Sequence, residues 1–165
     1  MSCATDPECL RTAAATDDDA AAALTGTNEI ADAADLIRRM RCRVLLVDDD
    51  RGFRKDLADR LRKTYLADVN EADDGEMALQ MFAEIPGLDL VLMDVQMPEL
   101  DGIETCARMR IAGVFGHIVL MSSEPRNREK LLECRADSFL DKSLDPDSFT
   151  AALEQILLNC RRRAS

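Results

Sequence analysis

The sequence predicts an α/β protein built on a doubly wound, five-stranded parallel sheet with helices on both faces. From residue 43 onward, short apolar runs alternate with longer amphipathic segments, which is the pattern of repeated strand–helix units. Two of the runs, VLLV and LVLM, are apolar at every position, as in strands buried on both faces. A hydrophobic share of 47% in 165 residues is enough to form a core, which excludes a wholly disordered chain.

The order of the elements follows from the spacing of the apolar residues. We predict strands at residues 44–47, near 69, and at 88–93, 118–121 and 138–140. Helical periodicity predicts the segments between and after them as helices, at residues 52–65, 75–85, 102–111, 126–134 and 147–161. Turn residues support three helix starts, at Asp74-Gly75, Asp101-Gly102 and Asp145-Pro146. The crossovers between parallel strands should be right-handed. Because parallel strands run in the same direction, their carboxyl ends should share one edge of the sheet, where ligands bind.

The first 41 residues differ in composition from the rest of the chain. Residues 1–41 are rich in Ala, Asp and Thr, and we predict that they form a partly disordered extension of a domain at 42–162. Residues 28–40 could form a helix, because one face would collect Ile30, Ala33, Ala34, Ile37 and Met40. Met40 is also a candidate for the true start.

Charge and targeting features limit the classes of function. With 32 acidic and 21 basic residues, the net charge of −11 disfavours binding to nucleic acid or to an anionic membrane. No long apolar stretch and no basic signal region are visible, so a cytoplasmic location is expected. The six cysteines lack CxxC spacing and are predicted to be reduced. The single histidine, His117, is predicted to be a surface or edge residue and not a ligand.

Polar residues follow four of the predicted strands. Three aspartates follow the first strand, and Asp94 follows the third. Carboxylates that converge from two strands would repel each other unless a counter-ion lay between them, and Mg²⁺ prefers such oxygen ligands. With Mg²⁺ holding a phosphate, a carboxylate can act as a nucleophile, while Ser122 and Lys142 from the neighbouring strands would meet the phosphoryl oxygens. We expect Asp50 to be the extra acid, at a helix cap or in solvent.

Four segments together resemble the receiver domain of two-component response regulators, in particular the single-domain, CheY-like family. They are VLLVDDD at 44–50, VLMDVQMPELDG at 91–102, IVLMSS at 118–123 and FLDKS at 139–143. The resemblance covers residues 42–160 and implies the flavodoxin-like strand order 2-1-3-4-5.

The resemblance also implies the chemistry of the site. Asp94 would accept a phosphoryl group from the phosphohistidine of a sensor histidine kinase or a histidine phosphotransfer protein. Asp48, Asp49 and Asp94 would hold Mg²⁺ together with the backbone carbonyl of Gln96, with Asp49 as a direct ligand and Asp48 acting through water. The chain would catalyse only its own phosphorylation and dephosphorylation and would not be an enzyme of metabolism.

Further residues acquire roles from the same resemblance. Ser122 would hydrogen-bond to the phosphoryl group and Lys142 would pair with it. Ser122 and Phe139 stand at the positions of the family's switch residues, although Phe139 could simply be part of the core. Gln96 and Glu124 stand at the variable positions that tune dephosphorylation.

Two departures from the family pattern lead to structural expectations. Ser143 stands where the family usually has a proline after a cis peptide bond, so we expect a trans bond here, since a cis bond to a non-proline residue costs about 3–4 kcal/mol. Arg135 stands where glycine is common, which suggests a turn that avoids positive φ.

The output is expected to come from a partner protein, since neither 1–41 nor the residues after Lys142 suit an output domain. By resemblance, this unidentified partner would bind the face formed by the fourth helix, the fifth strand and the fifth helix. The kinase side would dock near the first helix, around Phe53 and Arg54. Alternatives are a phosphorylation-independent pseudo-receiver adaptor, a haloacid-dehalogenase-like phosphatase, for which Gln96 is the wrong residue, and an FMN carrier, which the three acids disfavour.

Overall fold

A computed structural model describes residues 42–113 and 116–162, which form a five-stranded parallel sheet covered by helices. The strands are β1 (Arg43–Val47), β2 (Asp68–Ala72), β3 (Leu90–Asp94), β4 (His117–Ser122) and β5 (Ser138–Asp141). Their order is β2-β1-β3-β4-β5, so the predicted fold class and strand order are confirmed. The predicted extension at 1–41 and the possible helix at 28–40 lie outside the described residues.

Five α-helices connect or follow the strands. They are α1 (Arg51–Tyr65), α2 (Gly75–Glu84), α3 (Gly102–Ile111), α4 (Leu131–Cys134) and α5 (Pro146–Arg162). At the start of four of these helices, an aspartate side chain accepts hydrogen bonds from backbone N–H groups of the first turn; these aspartates are Asp50, Asp74, Asp101 and Asp145. Among the described helices, none has both the length and the apolar character that crossing a bilayer requires.

The two faces of the sheet are buried against different helices. Successive residues of a strand point to opposite faces, so Val44 and Leu46 of β1 join one core cluster while Leu45 and Val47 join the other. The first cluster is closed by α1 and α5, and the second by α2, α3 and α4. All four of these β1 side chains are fully buried, which confirms the expectation for an apolar run with no alternation.

The fourth helix differs from its prediction. Residues 126–134 were expected to form one α-helix, but Pro125–Lys130 is a 3₁₀ helix and only Leu131–Cys134 is α-helical. No side chain caps the start of the 3₁₀ helix. Among its residues whose side chains are described, only the polar Asn127 is buried. Without an apolar stripe to bury, this segment has no face that would favour a continuous α-helix.

The turn before β5 also differs from its prediction. Arg135 ends α4 with φ of 58°, so the expectation that this turn avoids positive φ was wrong. The left-handed residue allows the backbone N–H groups of Arg135 and Ala136 to reach the carbonyl of Leu131. Arg110 supports the turn by donating to the carbonyl of Arg135 at 3.0 Å. These bonds hold a non-glycine residue in a conformation that glycine would adopt more easily.

Burial corrects one further expectation. His117 is the first residue of β4 and only 6% exposed, so it is neither on the surface nor at an edge. Because β4 lies between β3 and β5, even its first side chain is enclosed, and its Nε2 lies 2.8 Å from the hydroxyl of Ser138. The four cysteines within the described residues are free and buried, as expected for reduced thiols in a core: Cys42, Cys106, Cys134 and Cys160.

Candidate functional site

Three carboxylates meet at the carboxyl-terminal edge of the sheet. Asp48 and Asp49 directly follow β1, and Asp94 is the last residue of β3. One carboxylate oxygen from each lies within 4.8 Å of the others. Asp48 is fully buried and Asp94 is 5% exposed, whereas Asp49 faces solvent. The convergence predicted from the strand ends is therefore present, because neighbouring parallel strands place their carboxyl ends side by side.

Lys142, which follows β5, reaches into this cluster. Its Nζ lies 2.8 Å from Oδ2 of Asp48 and 3.2 Å from Oδ1 of Asp94. The ring of Phe53, from the first turn of α1, lies under the same ammonium group at 4.4 Å from its centroid. The single charge of Lys142 thus offsets only part of the charge of the two buried acids, and Asp49, the exposed acid, is available for another cation.

The charges of the cluster shift the ionisation of its members. Burial raises the pKa of Asp94 to about 6, and the nearby charges of Asp48 and Asp49 add to this, while Lys142 opposes it. Burial disfavours the charge on Lys142, but its hydrogen bond to Asp48 and the charge of Asp94 hold its pKa above the usual value. Asp94 is therefore ionised at neutral pH, yet it is easier to protonate than an ordinary aspartate.

The loop after β3 fixes the backbone of Asp94. Gly102 opens α3, and its N–H donates to the carbonyl of Val95 at 3.1 Å. A Cβ atom on Gly102 would lie 1.9 Å from the carbonyl oxygen of Asp94 and 3.0 Å from Cγ of Met93. Only glycine allows the start of α3 to approach the end of β3 this closely.

The turn after β5 contains Ser143 at the position where the resemblance predicts a proline. The peptide bond between Lys142 and Ser143 is trans, as expected. Both the N–H and the hydroxyl of Ser143 donate to Oδ1 of Asp141, at 2.8 and 2.6 Å. These bonds lower the pKa of Asp141. Since Lys142 N also donates to the carbonyl of Ser122 at 3.0 Å, the lysine reaches the cluster from a turn held by hydrogen bonds.

Ser122, the last residue of β4, has a partner that the sequence did not reveal. Its side chain is buried, and its Oγ accepts hydrogen bonds from Nδ2 of Asn127 at 2.9 Å and from the N–H of Glu124 at 3.1 Å. No sequence signal marks Asn127, which is one polar residue in a charged segment. It becomes visible only when the 3₁₀ helix brings it under the end of β4.

The remaining predicted positions lie around this centre. Gln96 is exposed two residues beyond Asp94, and its Nε2 donates to Glu124 at 3.2 Å, while Glu124 also pairs with Arg126 at 2.7 Å. Gln96 and Glu124 line a groove of about 680 Å³ between the loop after β3 and the 3₁₀ helix. Phe139 of β5 is half-buried, with the guanidinium of Arg128 at 5.5 Å from its ring centroid.

The donor set suits a hard divalent cation. Three carboxylates share one lysine, and crowding with burial keeps the pKa of Asp94 high. A cation at this edge would relieve that repulsion, and carboxylate oxygens are ligands that Mg²⁺ accepts. The exposed Asp49 keeps the cluster open to water and to a phosphate group, as Mg²⁺ sites that act on phosphates require.

Comparison with known proteins agrees with the fold and identifies the family. Residues 44–154 match the family described as the response regulator receiver domain. The chain is 33% identical over 120 residues to the alkaline phosphatase synthesis transcriptional regulatory protein PhoP of Bacillus subtilis (strain 168), covering 72% of this chain and 49% of PhoP. It is 36% identical over 124 residues to the two-component response regulator ORR41 of Oryza sativa subsp. japonica, covering 73% of this chain and 98% of ORR41.

A solved structure gives the same result. The response regulator protein TrrA from Thermotoga maritima, in complex with Mg(2+)-BeF, aligns with a TM-score of 0.62 and 28% identity, covering 71% of this chain and 99% of TrrA. The chain spans about half the length of PhoP, so similarity to PhoP concerns its matched part alone. A family match over most of the described residues, with relatives that are 33% and 36% identical over the aligned residues, shows that this chain belongs to the response regulator receiver domain family of two-component systems.

Proposed function

We propose that this receiver domain is a Mg²⁺-dependent phospho-acceptor whose phosphorylation on Asp94 switches the binding of a partner protein. The observation that carries the proposal is the position of Asp94: its carboxylate lies close to those of Asp48 and Asp49 and 3.2 Å from the ammonium of Lys142. A buried carboxylate next to both a metal-binding cluster and a fixed cation suits attack on a phosphoryl group.

Asp49, Asp94 and the backbone carbonyl of Gln96 are the proposed direct ligands of Mg²⁺. Asp48 would act through water, because its Oδ1 already accepts from the N–H of Asp50 at 3.0 Å and its Oδ2 from Lys142. Mg²⁺ bound there would neutralise charge on the phosphoryl oxygens and on the carboxylates. TrrA, which has a similar fold, was solved in complex with Mg(2+)-BeF, and this supports the proposal that Mg²⁺ binds here.

The proposed reaction transfers a phosphoryl group from a phosphohistidine. A carboxylate oxygen of Asp94 attacks the phosphorus, the P–N bond breaks with its electron pair on the histidine nitrogen, and that nitrogen then takes up a proton. Because the pKa of Asp94 is about 6, the carboxylate is ionised and nucleophilic at neutral pH. Attack of water on the phosphorus would later release phosphate and restore the carboxylate.

Lys142 and Ser122 would stabilise the phosphoryl group on Asp94. Lys142 Nζ already lies 3.2 Å from Asp94 and would pair with a phosphoryl oxygen. Ser122 is the last residue of β4, one position beyond Met121, which pairs in register with Asp94. Its hydroxyl would donate to another phosphoryl oxygen. In this proposal the chain would catalyse only its own phosphorylation and dephosphorylation and would not convert a separate metabolite.

Partner contacts form the second half of the proposal. A histidine kinase or phosphotransfer protein would approach the open carboxylate edge beside Phe53 and Arg54 of α1. A downstream protein would bind the face made by α4, β5 and α5, where Phe139 and Arg128 lie in contact. The matched region makes up 98% of ORR41, so that relative consists almost entirely of the part that resembles this chain. The acidic excess disfavours direct binding to nucleic acid.

Labelling with acetyl phosphate tests the phospho-acceptor directly. Wild-type protein with Mg²⁺ should take up one phosphoryl group, and EDTA or Asp94→Asn should abolish the uptake. Asp68→Asn, at an exposed residue of β2, is the matched control and should label normally. Absence of label in the wild-type protein, or equal label in Asp94→Asn, would contradict the proposal. Partner binding that beryllofluoride leaves unchanged would then favour the phosphorylation-independent adaptor.

A further inference from the structure

The hydrogen bonds of Ser122 restrict what its hydroxyl can do. A serine hydroxyl has two acceptor positions and one proton to donate. The N–H of Glu124 and Nδ2 of Asn127 occupy both acceptor positions, at 3.1 and 2.9 Å. With Ser122 1% exposed and Asn127 4% exposed, water has little access to compete for these positions. The remaining capacity of the hydroxyl is therefore to donate its proton.

A phosphoryl oxygen can only accept hydrogen bonds, so it requires a donor. We propose that Asn127 is a positioning residue that holds the Ser122 hydroxyl as a donor aimed at the phosphoryl group on Asp94. This inference rests on the proposed function, in which Ser122 contacts that group. Asn127 acts through Ser122 and does not itself touch the reacting atoms.

The setting of Asn127 supports a dedicated role. It is the buried member of a 3₁₀ helix whose next three residues, Arg128, Glu129 and Lys130, are all exposed. Burying an amide is unfavourable by about 1–3 kcal/mol unless it is hydrogen-bonded, so its contact with Ser122 offsets its burial. Among the residues of this segment whose side chains are described, Asn127 is the buried one, and its hydrogen bond joins the 3₁₀ helix to the end of β4.

The same segment also touches the second proposed switch residue. Arg128, the next residue along the chain, places its guanidinium 5.5 Å from the ring centroid of Phe139. Two consecutive residues therefore contact Ser122 and Phe139. A change in the hydrogen bonding of Ser122 would reach the α4–β5 face through Asn127 and Arg128, without a separate relay.

Beryllofluoride binding in the presence of Mg²⁺, followed by calorimetry on the full chain, tests the proposal. Asn127→Ala frees an acceptor position on Ser122, and affinity for beryllofluoride should fall on the order of tenfold, as for one charge-assisted hydrogen bond. Asn127→Asp has nearly the same size but can only accept, so it should compete for the Ser122 proton and lower the affinity further. Asn159→Ala, at an exposed asparagine of α5, should bind normally.

A double-mutant cycle separates positioning from a structural role. In a Ser122→Ala background, Asn127→Ala should lower the affinity by less than about twofold, since its effect passes through the missing hydroxyl. An unchanged affinity in Asn127→Ala, or an equal loss in both backgrounds, would overturn the proposal. If Asn127→Ala fails to fold, the size-matched Asn127→Asp replaces it in both backgrounds. Its loss of beryllofluoride affinity should then be larger with Ser122 present than with Ser122→Ala, and equal losses would overturn the proposal.

A measurement without any phosphoryl mimic distinguishes this inference from the proposed function. The side-chain amide NMR signals of Asn127 should shift when Ser122 is replaced by Ala, and unchanged signals would overturn the inference. If those signals shift but wild-type protein binds no beryllofluoride, the proposed function fails and the positioning role fails with it. If wild-type protein binds and both Asn127 variants bind equally, only the positioning role fails.

Discussion

At the scale of single residues, the balance of charge around Asp94 is incomplete. Three carboxylates share the one ammonium of Lys142, and two of them, Asp48 and Asp94, are buried. A buried carboxylate that is not fully compensated holds its proton more tightly, which accounts for the raised pKa of Asp94. The excess negative charge of the site therefore favours the binding of a further cation.

This excess charge predicts a pH-dependent gain in stability from Asp94→Asn. The native state keeps the Asp94 proton up to about pH 6, while the unfolded chain releases it near 3.8. Between these values the native state binds more protons, so the free energy of unfolding of the wild type falls as pH rises. The variant lacks this loss, and its stability relative to wild type should rise between pH 4 and 7 by up to about 3 kcal/mol.

Urea unfolding at both pH values in EDTA measures this difference. Asp68→Asn should show no comparable change with pH, because it leaves the carboxylate cluster intact. A difference between Asp94→Asn and wild type that is the same at pH 4 and pH 7 would contradict the assignment of the raised pKa to Asp94.

At the scale of elements, the junction of β3 and α3 decides where Asp94 sits. The N-terminal turn of α3 approaches the end of β3 so closely that a Cβ on Gly102 would overlap the carbonyl oxygen of Asp94. Asp101 caps this helix by accepting from the N–H of Glu104 at 2.8 Å, which fixes its starting point. Gly102 thus allows the close approach of α3 to the end of β3, and the Asp101 cap sets the residue at which α3 begins.

We expect Gly102→Ala to destabilise the protein and to disturb the site. Overlap with backbone forces β3 or α3 to move, and overpacking of this kind costs about 1–3 kcal/mol. Chemical denaturation should show the loss, and Mg²⁺-dependent labelling of Asp94 should slow. Gly52→Ala is the matched control, because a Cβ there would meet only Oδ1 of Asp50 at 3.2 Å and alanine favours the helix. Equal stability of the two variants would refute this reading of the junction.

At the scale of the whole molecule, the site draws its side chains from the ends of several strands. Asp48 and Asp49 follow β1, Asp94 ends β3 and Lys142 follows β5. In the sheet, β1 and β3 are neighbours, and β4 lies between β3 and β5. A cation bound here would cross-link segments that are far apart in sequence. Binding that requires the folded arrangement stabilises the folded state.

Mg²⁺ should therefore raise the melting temperature of the wild-type protein. At a concentration one hundred times its dissociation constant, a ligand specific to the native state stabilises it by about 2.7 kcal/mol, which corresponds to several degrees. Asp49→Asn removes an exposed carboxylate from the cluster, and most of the shift should disappear. Thermal unfolding followed by circular dichroism, with Asp68→Asn as the control, checks this. A full shift in Asp49→Asn would exclude that residue as a ligand.

The features that could be predicted from the sequence are those that depend on local patterns of residues. Strands that are apolar at every position and aspartates that precede helices are visible in the sequence, and both follow from short-range chemistry. In a parallel sheet, the residues at the carboxyl ends of β1, β3, β4 and β5 must lie at the same edge. The meeting of Asp48, Asp49, Asp94 and Lys142 could therefore be predicted without coordinates.

Other features depend on contacts between elements, for which the sequence carries no local signal. The 3₁₀ helix, the burial of His117 and the positive φ of Arg135 each contradicted a sequence-based expectation. Neighbouring strands enclose His117, and Arg110 of α3 supports the turn at Arg135. The 3₁₀ helix lacks the apolar stripe that would favour a continuous α-helix.

The sequence by itself determined the order of strands and helices and the acidic edge with its lysine, because periodicity and strand direction are properties of the chain. Only the tertiary structure decided that Asn127 donates to Ser122, that Arg128 lies over Phe139 and that Gly102 touches Asp94. These contacts join residues from different elements, and their distances are set by how closely those elements pack.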